Sequence, residues 1–118
     1  MAKGDSDIEV LARLFAVIES RKGGDVATSY TAKLFAQGRE AIAGKLGEEA
    51  VECALAGASG DNAHTVRESA DLLYHLLVLW AECGIAPQEV WAELRAREGT
   101  SGLEERRRRG GRGEGGGG

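Results

Sequence analysis

Between Leu72 and Trp80 the chain offers a helix almost no polar side. Placed at about 100° per residue, Leu72, Leu73, Leu76, Leu77, Val78, Leu79 and Trp80 cover nearly the whole circumference. A helix that is apolar all round is a buried one. This segment therefore predicts a core helix, and the rest of the fold has to surround it. The run is too short to cross a bilayer, which takes roughly 18 or more apolar residues. A surrounding sheet is disfavoured, because the chain has few aromatic and β-branched residues and is rich in Ala, Leu and Glu.

The chain has 118 residues with a hydrophobic fraction of 42%, enough for one domain with one core. Periodicity and punctuation predict five helices. The first runs from about Asp7 to Ser20, with Asp5 or Ser6 as cap and Ile8, Leu11, Leu14, Phe15 and Ile18 as its apolar face. The second, about Tyr30 to Gln37, starts at a Thr28 or Ser29 cap and stops at Gly38. The third covers about Arg39 to Ala56, and Gly57 to Gly60 reads as a loop. The fourth runs from about Asn62 to Cys83, with Asp61 as cap and Gly84 as stop. The fifth begins at Pro87, a good first-turn residue, and ends before Gly99. Gly44 and Gly47 inside the third helix each cost about 1 kcal/mol of helix propensity, which predicts the close approach of another backbone. The expected fold is all-α, a bundle of about five helices with two long central antiparallel ones. The leucine surplus on the fourth helix predicts a homodimer.

Charge is uneven along the chain. Residues 104–118 hold five arginines and three glutamates, so the remainder carries 10 basic and 16 acidic side chains. An acidic body argues against a nucleic-acid surface. The run Arg106–Arg109 and the glycines after it bury too little surface to fold, which predicts a domain over 1–103 and a disordered tail over 104–118. The start, Met1-Ala2-Lys3-Gly4-Asp5, opens no apolar signal segment, which predicts a cytoplasmic protein without a membrane partner. Cys53 and Cys83 sit among apolar residues without metal-binding spacing and read as reduced, buried thiols.

Two acidic clusters carry the chemistry. Glu48-Glu49-Ala50-Val51-Glu52 lies on the third helix and Glu68-Ser69-Ala70-Asp71 on the fourth. Spacings of three and four residues stack their carboxylates on one face. Both clusters are flanked by apolar residues, and carboxylates in such surroundings are costly unless paired or bound to a metal. Two antiparallel helices joined by a short loop bring Glu49, Glu52, Glu68 and Asp71 to one point. Four carboxylates around a small space favour Mg²⁺ or Mn²⁺. Mg²⁺ keeps waters and takes substrate phosphates, which points to phosphoryl chemistry. A di-iron bundle would need Glu-x-x-His pairs, and neither cluster has one. A wholly structural acidic face is the remaining alternative, with Lys45 and Arg67 the nearest cations in sequence.

These clusters resemble the motif of the all-α nucleotide pyrophosphohydrolase superfamily, to which MazG-type enzymes belong. Ser29-Tyr30-Thr31-Ala32-Lys33-Leu34, Glu68-Ser69-Ala70-Asp71-Leu72-Leu73-Tyr74-His75 and Arg97-Glu98-Gly99-Thr100-Ser101-Gly102-Leu103 are similar to the phosphoribosyl-ATP pyrophosphatase family within it. The resemblance covers most of residues 8–103, and the tail departs from it. It implies hydrolysis of phosphoribosyl-ATP between its α and β phosphates, the second step of histidine biosynthesis. It also implies a functional link to phosphoribosyl-AMP cyclohydrolase. Glu49, Glu52, Glu68 and Asp71 are then the expected metal ligands, and Glu48 the group that positions or deprotonates water. Lys33, Lys45, Arg21 and Arg97 are expected phosphate contacts. The resemblance adds Ser29, Tyr30 and Thr31, and His75 joins them because it shares the acidic sector. A hydrolase of non-standard nucleotides and a non-enzymatic helical module are the rival functions; the first would use the same acids, and the second predicts no stabilisation by metal.

Overall fold

A computed structural model describes residues 7–99 of the chain. It contains α1 (Glu9–Ser20), α2 (Tyr30–Gln37), α3 (Arg39–Ser59), α4 (Asn62–Cys83) and α5 (Pro87–Arg97), and no strand among the described residues. Among these residues no single helix is long and apolar enough to cross a membrane. The tail over 104–118 and the Ser101-Gly102-Leu103 segment lie outside them, as do the expected caps Asp5 and Ser6. The chain divides into two units between Ile85 and Ala86.

In the first unit α3 and α4 form the main interface, with α1 and α2 packed on them. The core is Phe15 and Ile18 from α1, Ala32 and Leu34 from α2, Ile42 and Ala56 from α3, and Leu77, Val78, Trp80 and Ala81 from α4. Ile18, Ile42, Leu77 and Val78 are sealed almost completely. Burying an aliphatic side chain of this size contributes about 1.5–3 kcal/mol. The loop before α2 is pinned by Lys22, whose ammonium donates to the Ala81 carbonyl at 2.6 Å and lies 5.6 Å from the centre of the Phe35 ring.

The boundaries follow from local chemistry. Ser29 caps α2, its hydroxyl accepting from Ala32 N–H at 3.0 Å. Gly38 ends α2 and starts α3 at φ 98°, a conformation strained for any residue with a Cβ. Asp61 caps α4 by accepting from His64 N–H at 3.0 Å. The α3–α4 connection is tighter than expected. Gly57, Ala58 and Ser59 stay helical, and only Gly60, at φ 84°, leaves the helix. Ser59 Oγ donates back to the Ala56 carbonyl at 2.8 Å, which supports the last turn. The first helix starts at Glu9 without a side-chain cap; backbone turns from Val10 to Asp7 and from Leu11 to Ile8 close it instead.

Two expectations about packing are corrected. A Cβ on Gly44 or Gly47 would meet nothing within 4 Å, so among the described residues no backbone approaches α3 there. The apolar residues around α4 are not all covered either: Leu73 is 46% exposed. One chain has too few helices to cover every side of it. Val51, Leu55 and Val66 on the same hairpin are 59, 66 and 68% exposed. Cys53 and Cys83 are free and half-buried, Cys53 lying 3.5 Å from Ser69 Oγ.

In the second unit Pro87 opens α5, where its missing N–H costs nothing. The Glu89 carboxylate accepts from Ala86 N–H at 3.0 Å. Arg97 donates to Glu93 from Nη2 at 3.1 Å and from Nε at 3.3 Å.

Candidate active site

Antiparallel packing of α3 on α4 brings carboxylate oxygens of Glu49, Glu68 and Asp71 within 4.8 Å of one another. Glu49 and Glu68 are mostly shielded, each with a side chain 15% exposed, and Asp71 opens to solvent. Three like charges this close repel unless a cation stands among them. Their hard oxygens suit Mg²⁺ or Mn²⁺, with open positions left on the solvent side. The donor set thus fits a divalent ion of that class.

Glu52 does not belong to this group and is exposed. Helix geometry explains why. Cys53 marks the seam where α3 meets Ser69 of α4. At about 100° per residue, Glu49 is turned about 40° from that seam, Glu52 about 100° and Glu48 about 140°. The sequence placed Glu49 and Glu52 on one face, but only the nearer one reaches the seam. Glu48 is the outermost, its side chain 71% exposed.

Lys45 joins the acids. Its ammonium lies 3.7 Å from Glu48 and 3.8 Å from Glu49. The neighbouring Tyr30 phenol and then these two carboxylates raise it above the ordinary lysine value, with desolvation opposing. His64, one turn before Glu68, places Nε2 3.2 Å from a Glu68 oxygen. One carboxylate oxygen is thereby engaged. The sequence reading missed His64, although its i,i+4 spacing from Glu68 is the signal that would have found it.

On the far side of Lys45 a groove of about 420 Å³ runs between α2 and α3. Tyr30, Lys33, Leu34 and Gln37 form one wall, and Ala41, Gly44, Lys45 and Glu48 the other. Three expected contact residues, Tyr30, Lys33 and Lys45, therefore line one space. Gln37 lines it too and was missed, because an amide near a helix end carries no distinctive spacing.

Three other expected contacts do structural work. His75 is only 5% exposed. Its Nδ1 lies 2.8 Å from the Asp71 carbonyl, so Nδ1 bears the hydrogen. In the neutral ring Nε2 then accepts from the Tyr30 hydroxyl, at 3.3 Å. Thr31 is 7% exposed and hydrogen-bonded to the Tyr74 hydroxyl. Ser29 is spent as the α2 cap. The acidic sector pointed to a functional role for His75, and the packing of α4 sets its ring in the core. Burial foremost raises the Tyr74 phenol, with Tyr30 adding to this and Arg21 opposing it. Arg21 itself is exposed at the end of α1. Arg97 belongs to the second unit, where it holds Glu93.

Comparison with known proteins adds an independent line. The family model described as phosphoribosyl-ATP pyrophosphohydrolase matches residues 11–98. A protein of Paramagnetospirillum magneticum named phosphoribosyl-ATP pyrophosphatase is 58% identical over 103 residues, covering 87% of this chain and 94% of its own. One of Azospirillum brasilense with the same name is 53% identical over 109 residues, covering 92% and 98%. A third, of Parvibaculum lavamentivorans, is 57% identical over 105 residues, covering 89% and 96%.

Proposed function

Because the chain belongs to the phosphoribosyl-ATP pyrophosphohydrolase family, we propose that it hydrolyses phosphoribosyl-ATP to phosphoribosyl-AMP and pyrophosphate, with Mg²⁺, as the second step of histidine biosynthesis. The observation that carries this reading is the convergence of Glu49, Glu68 and Asp71 within 4.8 Å in a member of that family. A triphosphate cannot approach three carboxylates unaided. Mg²⁺ or Mn²⁺ held there would polarise phosphoryl oxygens and offset the charge of the leaving pyrophosphate. Glu52, three residues along α3 from Glu49, stands at the margin for a fourth ligand.

The protein's own groups supply the rest. Glu48 is exposed beside the cluster and accepts a proton from the attacking water, whose oxygen bonds to the α-phosphorus as the α–β bridge breaks. Lys45, between Glu48 and Glu49, places a retained positive charge where substrate phosphate arrives. Lys33 and Tyr30 add a cation and a hydroxyl from the opposite wall. His75, Thr31 and Ser29 shape the site from behind.

We place the enzyme in the cytoplasm as a homodimer, functionally linked to phosphoribosyl-AMP cyclohydrolase. The uncovered Val51, Leu55, Val66 and Leu73 are the support for the dimer. The deciding experiment measures pyrophosphate release from phosphoribosyl-ATP with and without Mg²⁺, beside ordinary and damaged nucleoside triphosphates. Selective, metal-dependent release is the expected result. Release only from another triphosphate would keep the site and overturn the pathway role.

A further inference from the structure

We propose that the groove between α2 and α3 is the seat of the substrate's phosphoribosyl group, with Lys33 and Gln37 as the residues that read its phosphomonoester and Gly44 as the residue that keeps its floor open. The proposal rests on the function proposed above and names which part of the substrate lies where.

The groove has a direction. Gly38 turns the chain back on itself between α2 and α3, so Gln37 stands near Ala41 at one end. At the other end Tyr30 and Lys45 line the groove from its two walls. Lys45 in turn lies 3.8 Å from Glu49 of the carboxylate cluster. One end of the groove therefore opens on the candidate metal centre, and the other end leads away from it. Each wall spans seven residue steps, from Tyr30 to Gln37 and from Ala41 to Glu48. At 1.5 Å per residue that is about 10 Å, enough for a sugar and its phosphate.

The lining matches a ligand with an apolar middle and an anionic tip. Leu34 and Gly44 form the middle, and a Cβ on Gly44 would project into open space. Lys33 and the Gln37 amide supply donors from α2. Glu48, the one acid of the lining among the described residues, is at the cluster end and already paired with Lys45. Phosphoribosyl-ATP has two anionic ends. If the triphosphate occupies the cluster, the second, a phosphomonoester on ribose, needs cationic and amide donors at a distance, and these are what the groove holds. ATP lacks that end, so the groove supplies a physical basis for preferring the longer substrate.

Gly44 gives a test with little risk of unfolding. It lies inside α3 with open space at its Cβ, so Gly44→Leu relieves a helix-interior glycine while filling the groove. Ribose 5-phosphate is titrated into the full-length protein and followed by NMR, and the KM for phosphoribosyl-ATP is measured for Gly44→Leu, Lys33→Ala and Gln37→Ala. The expected result is saturable shifts at Tyr30, Leu34, Gln37 and Gly44, lost in Gly44→Leu, with KM raised at least about tenfold in that variant. Three results would overturn the proposal: no saturable shift at these residues, an unchanged KM in all three variants, or a change in the oligomeric mass of Gly44→Leu, which would make this floor a subunit contact. Specific ribose 5-phosphate binding in the groove without phosphoribosyl-ATP turnover would retain the sugar-phosphate site and overturn the reaction instead. Turnover without groove binding would do the reverse.

Discussion

The Tyr30 hydroxyl reaches Nε2 of His75 at 3.3 Å, tying the first residue of α2 to the core of α4. Tyr30 is half-exposed and lines the groove, while His75 is sealed and fixed from its other side by the Asp71 carbonyl. The groove wall is thus registered against the backbone of a cluster residue. Removing the hydroxyl in Tyr30→Phe leaves Nε2 without this donor, and the expected loss is about 1 kcal/mol in urea unfolding. His75→Ala also opens a cavity and should cost about 2–4 kcal/mol. If His75 acts only through Tyr30 on substrate, the KM effects of the two changes will not add in the double variant. Full additivity would separate the residues.

Asp71→Asn removes one charge from the cluster and keeps the shape. Without metal its melting temperature should equal or slightly exceed that of the unaltered protein, because repulsion from Glu49 and Glu68 falls. With metal the two should diverge. A ligand at about ten times its Kd stabilises by about 1.4 kcal/mol, worth several degrees in a domain of this size. Asp71→Asn should lose that shift and its turnover together. A metal-induced shift of full size in the variant would remove Asp71 from the ligand set.

His64 engages one oxygen of Glu68 at 3.2 Å. Partners that orient a ligating carboxylate commonly control metal affinity by about 10–100-fold. His64→Ala should therefore weaken Mg²⁺ or Mn²⁺ binding, read by calorimetry, over that range. His64→Gln, which can still donate toward Glu68, should recover part of it. Equal affinity in all three proteins would reduce the contact to surface packing.

Much of this was legible in the sequence, for physical reasons that differ by residue. Ser29, Gly38, Asp61 and Gly84 mark helix ends because their chemistry is local, a side-chain acceptor or a positive φ. Glu49, Glu68 and Asp71 were findable because three- and four-residue spacings and a short connection fix which faces meet. Glu52 shares their sector but stands outside the 4.8 Å group, since a helical wheel resolves a sector but not which of its members reaches the seam. The burial of His75 and Thr31 was not legible, because it depends on where α2 lies over α4, a long-range fact. Gly44 was read as a contact point, and only the three-dimensional arrangement shows it facing a groove.

The Tyr74 phenol sets a pH limit on stability. Its ionisation in the folded protein is raised above the ordinary 10.0, chiefly by burial. The unfolded chain then releases this proton first, so rising pH favours unfolding. The contribution is complete below the unfolded value and is lost as pH climbs through the folded one. Urea midpoints measured at pH of about 8 and above about 10 should show the unaltered protein losing its advantage over Tyr74→Phe at the higher pH. At the lower pH the variant should be weaker by about 1 kcal/mol, the usual net worth of a hydrogen bond such as that to Thr31. A gap that stays constant across this range would mean that Tyr74 does not ionise differently in the two states.

Leu55 and Val51 stand one turn apart on α3, 66 and 59% exposed, while the residues facing α4 from the same helix are covered. Each such side chain left in water forgoes about 1.5–3 kcal/mol of burial. A second copy of the chain would recover it, and Val66 and Leu73 on α4 are likewise uncovered. Leu55→Glu would place a charge in that contact. Its expected effect is a shift from dimer to monomer by size exclusion with light scattering at micromolar protein, with helical circular dichroism retained because Leu55 lies mostly in solvent among the described residues. A dimer of unchanged stability in the variant would move the subunit interface away from this face. A monomer in the unaltered protein at the same concentration would end the dimer reading altogether.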